Sequence, residues 1–338
     1  MSQPPEKIFR RVMDGSDRSA LAAVLRGGAA CAEPFYATIM RARNRLFTSH
    51  SLGRPTISVG NITTGGTGKT PVVQWLAGRL LAAGRKLAVL MRGYKSTGGV
   101  SDEQAVLTQG LGPMVAVIAD PDRIRGAAEA IRQNPQIDLF ILDDGMQHRR
   151  AARDFELVLI HAADPFGLGR VLPRGFLREP LSGLGRADAF VVTHAGEVDA
   201  GRLEQIEQTL RRFNSAAPIF RADHVIEGLH EAVDQKPFFA FCGIGSPDSF
   251  FSQVSGQGNC VGTRAFSDHH AYTAADLIDL NQAAQAAGAA ALVTTQKDWA
   301  KLSRLPPTGL PIIRAGLCIR FAADHERQLL EFLRSRIH

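Results

Sequence analysis

The chain has 338 residues, 45% of them hydrophobic and 21% charged, with a formal net charge of +6. This length allows one or two compact domains, and the composition excludes a collagen-like chain, a disulfide scaffold and a disordered polymer. The positive balance suits an anionic partner or a merely solvated basic surface, and does not choose between them.

Cys31, Cys242, Cys260 and Cys318 lie far apart, with no CxxC or His-paired spacing. Neither a zinc site nor a redox pair is expected, and a reducing compartment fits. The opening MSQPPEKIFRRVMDGSD lacks the apolar run of a secretory signal. No stretch approaches the roughly 20 apolar residues of a spanning helix. The expectation is a cytoplasmic protein, with attachment to a membrane surface left open.

Between Leu21 and Phe47 a moderately apolar segment is interrupted by Gly27, Gly28 and Pro34. Beyond them Tyr36, Ile39 and Met40 fall at helical spacing, with Arg41, Arg43 and Arg45 interleaved. This suits a helix in a bilayer interface facing anionic headgroups, and equally a core-packing helix with a solvated basic face.

From Thr56 onward β-branched runs alternate with helical stretches: TISVG, PVVQWLAGRLLAAG, KLAVLMR, MVAVIA, an amphipathic stretch from Ile124 to Ile131, and LFILDD. ELVLIH, AFVVTH, EVDAGRLEQIEQTLRRF and PIFRA continue the pattern. Such alternation predicts βαβ units around a mainly parallel sheet, an α/β fold. Residues 223–236 are polar and poorly periodic and read as a linker between a core at 51–222 and a second α/β lobe at 237–338. That lobe holds FFAFCG, a helix near Ser249, AADLIDLNQAAQAAG, ALVTT and a C-terminal helix. There is no repeat at a fixed period and no nucleic-acid-binding motif.

The strongest local signal is TTGGTGKT, after a predicted strand and before a predicted helix, the context of a P-loop. Thr63, Thr64, Gly65, Gly66, Thr67, Gly68, Lys69 and Thr70 are the expected nucleotide-binding residues. The glycines let backbone amides wrap phosphate, Lys69 reaches β and γ oxygens, and the Thr70 hydroxyl suits Mg²⁺. The strict pattern wants glycine where this chain has Thr63. LFILDDG supplies Asp143 and Asp144 at a strand end, either of which can serve the metal. A GTPase is not expected, because in TTQKDW Asp298 directly follows Lys297, the wrong spacing for guanine reading. A membrane-partitioning ATPase would carry an extra lysine at the start of the loop.

Transfer to an alcohol also needs a group that takes the acceptor proton. SDEQ offers Asp102 and Glu103, and FSDHHAY offers Asp268, His269, His270 and Tyr272. Taken singly, each cluster reads as a helix cap or surface loop.

Taken together, GNITTGGTGKTP, RGY, SDE, DDGMQH, LPRGFLREP, FCGIGSPDSFF, FSDHHAY and TTQKD, in that order, resemble the tetraacyldisaccharide 4′-kinase family over most of the chain. The resemblance implies two α/β/α lobes, the first a P-loop core, with ATP and Mg²⁺ as cofactors. It implies phosphorylation of the 4′-hydroxyl of a tetraacylated glucosamine disaccharide 1-phosphate, giving lipid IVA in lipid A biosynthesis. Asp102 is then the base and His269, in preference to His270, its partner. Asp143, Asp144 and Glu179 belong to the metal and phosphate neighbourhood, Tyr94 lies near nucleotide or acceptor, and Arg178 meets a substrate phosphate. Residues 1–50 become a membrane-facing amphipathic segment, and the protein peripheral on the cytoplasmic face of the bacterial inner membrane. The implied partners are the lipid-linked substrate and the membrane surface, with no nucleic acid and no obligate protein partner. The chain departs from the family pattern at Lys95, Ser101, Gln104 and Gln296, and its RGY-to-SDE segment is short. The alternatives are a P-loop kinase of a soluble sugar and a membrane-associated ATPase switch without transfer chemistry.

Overall fold

A computed structural model describes residues 5–93, 101–245, 247–268, 270–302, 305 and 309–337. The chain groups into two compact units. The first comprises Met1–Tyr94, Gly110–Asp223 and Ile319–His338, and the second Lys95–Gln109 and His224–Cys318. The predicted division placed residues 95–109 with the P-loop core and 319–338 with the second lobe, whereas packing assigns each segment to the other unit. The reason for the first is local: Val106 and Leu107 are buried, and the Val106 carbonyl accepts a bond from Gln296 Nε2 at 3.3 Å.

The first unit opens with helices α1 (Pro5–Met13) and α2 (Ala20–Leu46), followed by β1 (Thr56–Asn61), α3 (Lys69–Ala82) and β2 (Leu87–Met91). After α4 (Asp102–Leu111), most of which belongs to the second unit, the chain resumes the first with β3 (Ala116–Ala119), α5 (Arg123–Gln133), β4 (Leu139–Asp143), β5 (Phe155–His161), β6 (Ala189–Thr193), α6 (Ala200–Phe213) and β7 (Ile219–Glu227). The strands lie in the order β3-β2-β4-β1-β5-β6-β7, every pair parallel. Every residue of β1, β2, β4 and β6 is buried, as expected of parallel strands covered on both faces. Phe140, Leu90 and Ala127 pack on one side of this sheet, and Phe190, Val158 and Leu210 belong to a second cluster. Each such Leu or Phe contributes roughly 1.5–3 kcal/mol by leaving water.

Because β1 and β4 are parallel neighbours, their C-terminal ends emerge together. Val59 sits opposite Asp143 in register, so the loop after β1 and the Asp-Asp turn after β4 share one edge. Two glycines permit the approach. A Cβ on Gly60 would lie 2.5 Å from Met146 Cβ, and one on Gly145 would collide with the Ser58 side chain.

The interrupted apolar segment is one continuous 27-residue helix, α2, that runs through Gly27, Gly28 and Pro34. Its packed face is a seam of Ala22, Arg26, Ala29, Glu33, Tyr36, Met40 and Arg43, at alternating spacings of four and three. Tyr36 and Met40 lie on this seam, whereas Ile39 is 64% exposed, so the three residues predicted to share a face are divided.

The second unit contains α7 (Leu229–Val233), β8 (Phe238–Cys242), α8 (Pro247–Ser255), β9 (Cys260–Ala265), α9 (Ala274–Ala286), β10 (Ala291–Thr295), α10 (Gln296–Leu302) and β11 (Ile312–Phe321). Its strand order is β11-β10-β8-β9, again parallel. A capping box between Thr273 and Asp276 starts α9. Helix α11 (His325–Arg334) returns to the first unit.

Candidate active site

The loop between β1 and α3 is pinned on both flanks and open on its outer side. Thr63 forms an antiparallel bridge with Leu177, and Thr64 donates to the Phe176 carbonyl from its amide at 2.7 Å and its hydroxyl at 3.2 Å. On the other flank, Thr193 Oγ1 donates to the Thr67 carbonyl at 3.2 Å. Gly65 and Gly68 hold φ of 108° and 72°, where a side chain would be strained. Gly66 is exposed, and a Cβ built on it meets nothing within 4 Å. Helices α2, α5, α6 and α9 begin with a capping side chain from Ser19, Asp122, Asp199 and Thr273, whereas Gly68 before α3, like Asp324 before α11, supplies none. An amide-rich turn leading into a helix start with no side-chain cap suits phosphate oxygens.

Lys69 opens α3, and its Nζ meets Asn61 Oδ1 at 3.0 Å and Asp144 Oδ1 at 3.3 Å. Asp144 follows β4 with φ of 55°, a conformation that Asp tolerates better than most residues. Arg178 Nη1 donates to both Asp144 oxygens at 2.8 Å and to Gln147 Oε1 at 3.2 Å. Gln147 Nε2 in turn donates to the Asn61 carbonyl and to Glu179 Oε1, which also takes a bond from Arg186. Burial works to raise the Asp144 pKa, but Lys69 and Arg178 outweigh it and hold the carboxyl below its ordinary value. Asp144 therefore stays ionised and occupies the two cations that a phosphate would seek.

Buried charge surrounds this network. Arg123, 2% exposed at the start of α5, donates to the Asp120 and Asp143 carbonyls. Desolvation lowers its pKa, opposed by Asp143 and Asp144. Asp143 is 7% exposed. His148 is held neutral, its pKa lowered to about 4 by burial and by the nearby Arg123 and Arg153.

The first unit thus brings together Thr63 to Thr70, Asp143, Asp144, Arg178 and Glu179 from the sequence reading. Glu179 is 1% exposed, with its carboxylate on Arg186 and Gln147. Asp102 belongs to the second unit, as the first residue of α4; Ser101 Oγ accepts from the Gln104 amide at 3.2 Å and caps that helix. Tyr94 and His269 lie outside the described residues. His270, next to His269 in sequence, meets Asp276 at 3.2 Å and stacks on Phe266. Asn61, Gln147 and Arg123 were not singled out in advance. Asn61 carried a signal, since a carboxamide ending an otherwise apolar strand must find partners.

The side chains expected to serve a metal, the Thr70 hydroxyl and the Asp143 and Asp144 carboxylates, offer oxygen alone. Among the described residues no three His, Cys, Asp or Glu side chains converge into a metal cage. Mg²⁺ needs no such cage, since it takes one or two carboxylates together with nucleotide phosphate oxygens and water. The residues present fit it.

Comparison with known proteins adds a family assignment. The family model for tetraacyldisaccharide-1-P 4′-kinase matches residues 30–338. The chain is 36% identical to a tetraacyldisaccharide 4′-kinase of Desulfotalea psychrophila over 327 residues, covering 88% of this chain and 93% of that one. It is 34% identical to one from Anaeromyxobacter sp. over 359 residues, covering 96% of each. Among solved structures it resembles the "apo" form of LpxK from Aquifex aeolicus in complex with ATP, with a TM-score of 0.72 and 26% identity, over 93% of this chain and 100% of the other. With a glycine-rich loop beside an aspartate-arginine pair and a match across nearly the whole length, the chain belongs to the tetraacyldisaccharide-1-P 4′-kinase family.

Proposed function

We propose that the chain transfers the γ-phosphate of ATP to the 4′-hydroxyl of the tetraacylated disaccharide 1-phosphate, a step of lipid A biosynthesis. The observation that carries this reading is the Lys69–Asp144–Arg178 arrangement beside a P-loop with an open outer side, in a chain that matches the family over residues 30–338.

In this reading the loop amides and Lys69 hold the β and γ oxygens, and Arg178 is released toward a phosphate when Asp144 turns to its other partners. Thr70, Asp143 and Asp144 would hold Mg²⁺, with Glu179 acting through Gln147; the ion would neutralise charge on the transferring phosphoryl group. Catalysis is then largely positioning and electrostatics. Asp102 takes the proton of the 4′-hydroxyl, and His269 is its supporting histidine. The engagement of His270 by Asp276 and Phe266 supports choosing His269 over it. Tyr94 borders the nucleotide or the acceptor.

The protein is read as peripheral on the cytoplasmic face of the inner membrane. No helix among the described residues is long and apolar enough to cross a bilayer. The support for attachment is the outer face of α2, where Leu21, Val24, Phe35, Ile39 and Leu46 are 64–80% exposed. An apolar stripe of that kind suits the headgroup boundary.

The test is incubation with labelled ATP and the acylated disaccharide 1-phosphate in detergent, and the expected product is the 1,4′-bisphosphate. A folded, ATP-binding preparation that yields only inorganic phosphate, or that phosphorylates a soluble sugar as readily, overturns the reading.

A further inference from the structure

The two N-terminal helices do more than present an apolar face. Their inner sides grip the segment from Arg170 to Glu179 that borders the phosphate loop. Tyr36 of α2, 142 positions away in sequence, donates its phenol hydrogen to the Arg178 carbonyl at 3.0 Å. Glu33, one turn earlier, meets Arg174 at 3.2 Å and Arg170 at 4.0 Å. Arg43, two turns later, donates to the Gln147 carbonyl at 3.3 Å. From α1, Phe9 packs edge-on against Phe176 at 5.4 Å, and the Arg10 guanidinium lies over the same ring at 4.6 Å. Phe176 is the residue whose carbonyl takes both bonds from Thr64.

We propose that Tyr36 is a positioning residue of the nucleotide site: it fixes the backbone of Arg178, and through Arg178 and Asp144 it sets how freely Lys69 meets phosphate. The Arg178 backbone has two anchors, its amide on the Ile62 carbonyl at 2.8 Å and its carbonyl on Tyr36. Its side chain then holds both Asp144 oxygens at 2.8 Å, while Asp144 stands 3.3 Å from Lys69. Loosening the Tyr36 anchor weakens the pull of Arg178 on Asp144. The carboxylate settles more closely on Lys69 and competes harder with phosphate. This rests on the reading of residues 63–70 as the ATP site, and it adds an element that lies outside every recognised motif.

The test is Tyr36→Phe in the full-length chain, which keeps the ring and removes only the hydroxyl. Affinity for ATP is measured with no acceptor and no lipid present. Loss of one hydrogen bond is expected to weaken ATP binding roughly 3- to 10-fold. Binding to vesicles of mixed zwitterionic and anionic phospholipid is expected to match wild type. In an Arg178→Lys background the same substitution is expected to change ATP affinity little further, because residues acting through one another are not additive. Glu33→Gln, on the rim of the same contact, is the second variant and is expected to weaken ATP binding roughly 2-fold. Wild-type affinity in both variants, or an undiminished Tyr36→Phe effect in the Arg178→Lys background, overturns the proposal. Because ATP affinity is read without acceptor, failure to phosphorylate the disaccharide would defeat the proposed function and leave this test standing.

Discussion

Asp144 is the most informative residue to change, because it should act against nucleotide binding in one condition and for catalysis in another. Its carboxylate lies 3.3 Å from Lys69 and 2.8 Å from Arg178. At an effective dielectric of about 20 these separations correspond to roughly 5 and 6 kcal/mol of gross attraction, most of it offset by the desolvation of three charged groups. ATP must draw Lys69 out of that pair. Asp144→Asn removes the competing anion and keeps the shape of the side chain. If about 1–2 kcal/mol of the gross term survives, metal-free ATP binds roughly 5- to 30-fold more tightly to the variant. With Mg²⁺ present the same change removes a carboxylate from the metal neighbourhood, and turnover is expected to fall by about 100-fold or more. Calorimetric titration with ATP in the presence of a chelator reads the first effect, and product formation with Mg²⁺ reads the second. An Asp144→Asn protein that binds metal-free ATP no better than wild type would refute the competition argument, and one that turns over normally would remove Asp144 from the metal neighbourhood.

Two glycines separate packing from ligand space. Gly60→Ala puts a Cβ 2.5 Å from Met146 Cβ, so a loss of about 1–3 kcal/mol is expected in denaturant unfolding. Gly66→Ala meets no protein atom, so its stability should match wild type while ATP affinity falls by about tenfold or more; the opposite ranking would mean that the loop does not face phosphate. His161 ends β5, accepts the Ala163 amide on Nδ1 at 3.2 Å, and stacks on His194 at 4.2 Å. Burial, then the neighbouring His194, lowers its pKa to about 4, with Glu197 and Asp164 opposing. The unfolded chain therefore binds the extra proton first. Stability from this group is complete above about pH 6.5 and falls away toward pH 4, by roughly 3 kcal/mol. His161→Asn, which keeps an acceptor and cannot titrate, should flatten the unfolding free energy across that window, and an unchanged slope would count against it. On the outer face of α2, Val24→Asp combined with Ile39→Asp is expected to cut vesicle binding about tenfold or more with ATP affinity retained. Undiminished co-sedimentation would move the membrane contact elsewhere.

Much of the first unit was legible because parallel strands buried on both faces leave unbroken apolar runs, and TISVG and LFILDD are such runs. The P-loop and the Asp-Asp turn were legible for a related reason, since each follows directly from its strand. Helix α2 shows the limit. Apolar spacing revealed a helix, yet Tyr36 and Met40 turn inward while Ile39 turns out, a division set by where Glu33, Tyr36 and Arg43 find partners. Residues 95–109 show another. Contiguity placed them with the core, whereas the described part, 101–109, is held in the second unit by buried Leu107 and the Gln296 bond. Outside the resemblance carried by LPRGFLREP, Arg178 and Glu179 had no local physical signature. Their place beside Asp144 and Gln147 is made by contacts 31 to 34 positions apart in sequence.

The missing first glycine of the P-loop has a structural reason, and it ties the loop to the segment that α1 and α2 grip. Glycine is needed where the backbone turns into the left-handed region, and here that happens at Gly65 and Gly68. Thr63 is not at a turn. It is buried in an antiparallel bridge with Leu177, and its carbonyl accepts the Asn61 carboxamide at 2.8 Å. A bridged residue takes extended backbone, where a β-branched side chain is favoured and glycine is costly. The Thr63 substitution therefore trades a flexible entry for one strapped to the segment that carries Phe176 and Arg178. A chain built this way can position phosphate only when that segment is itself held, which is the task the inner face of α2 performs.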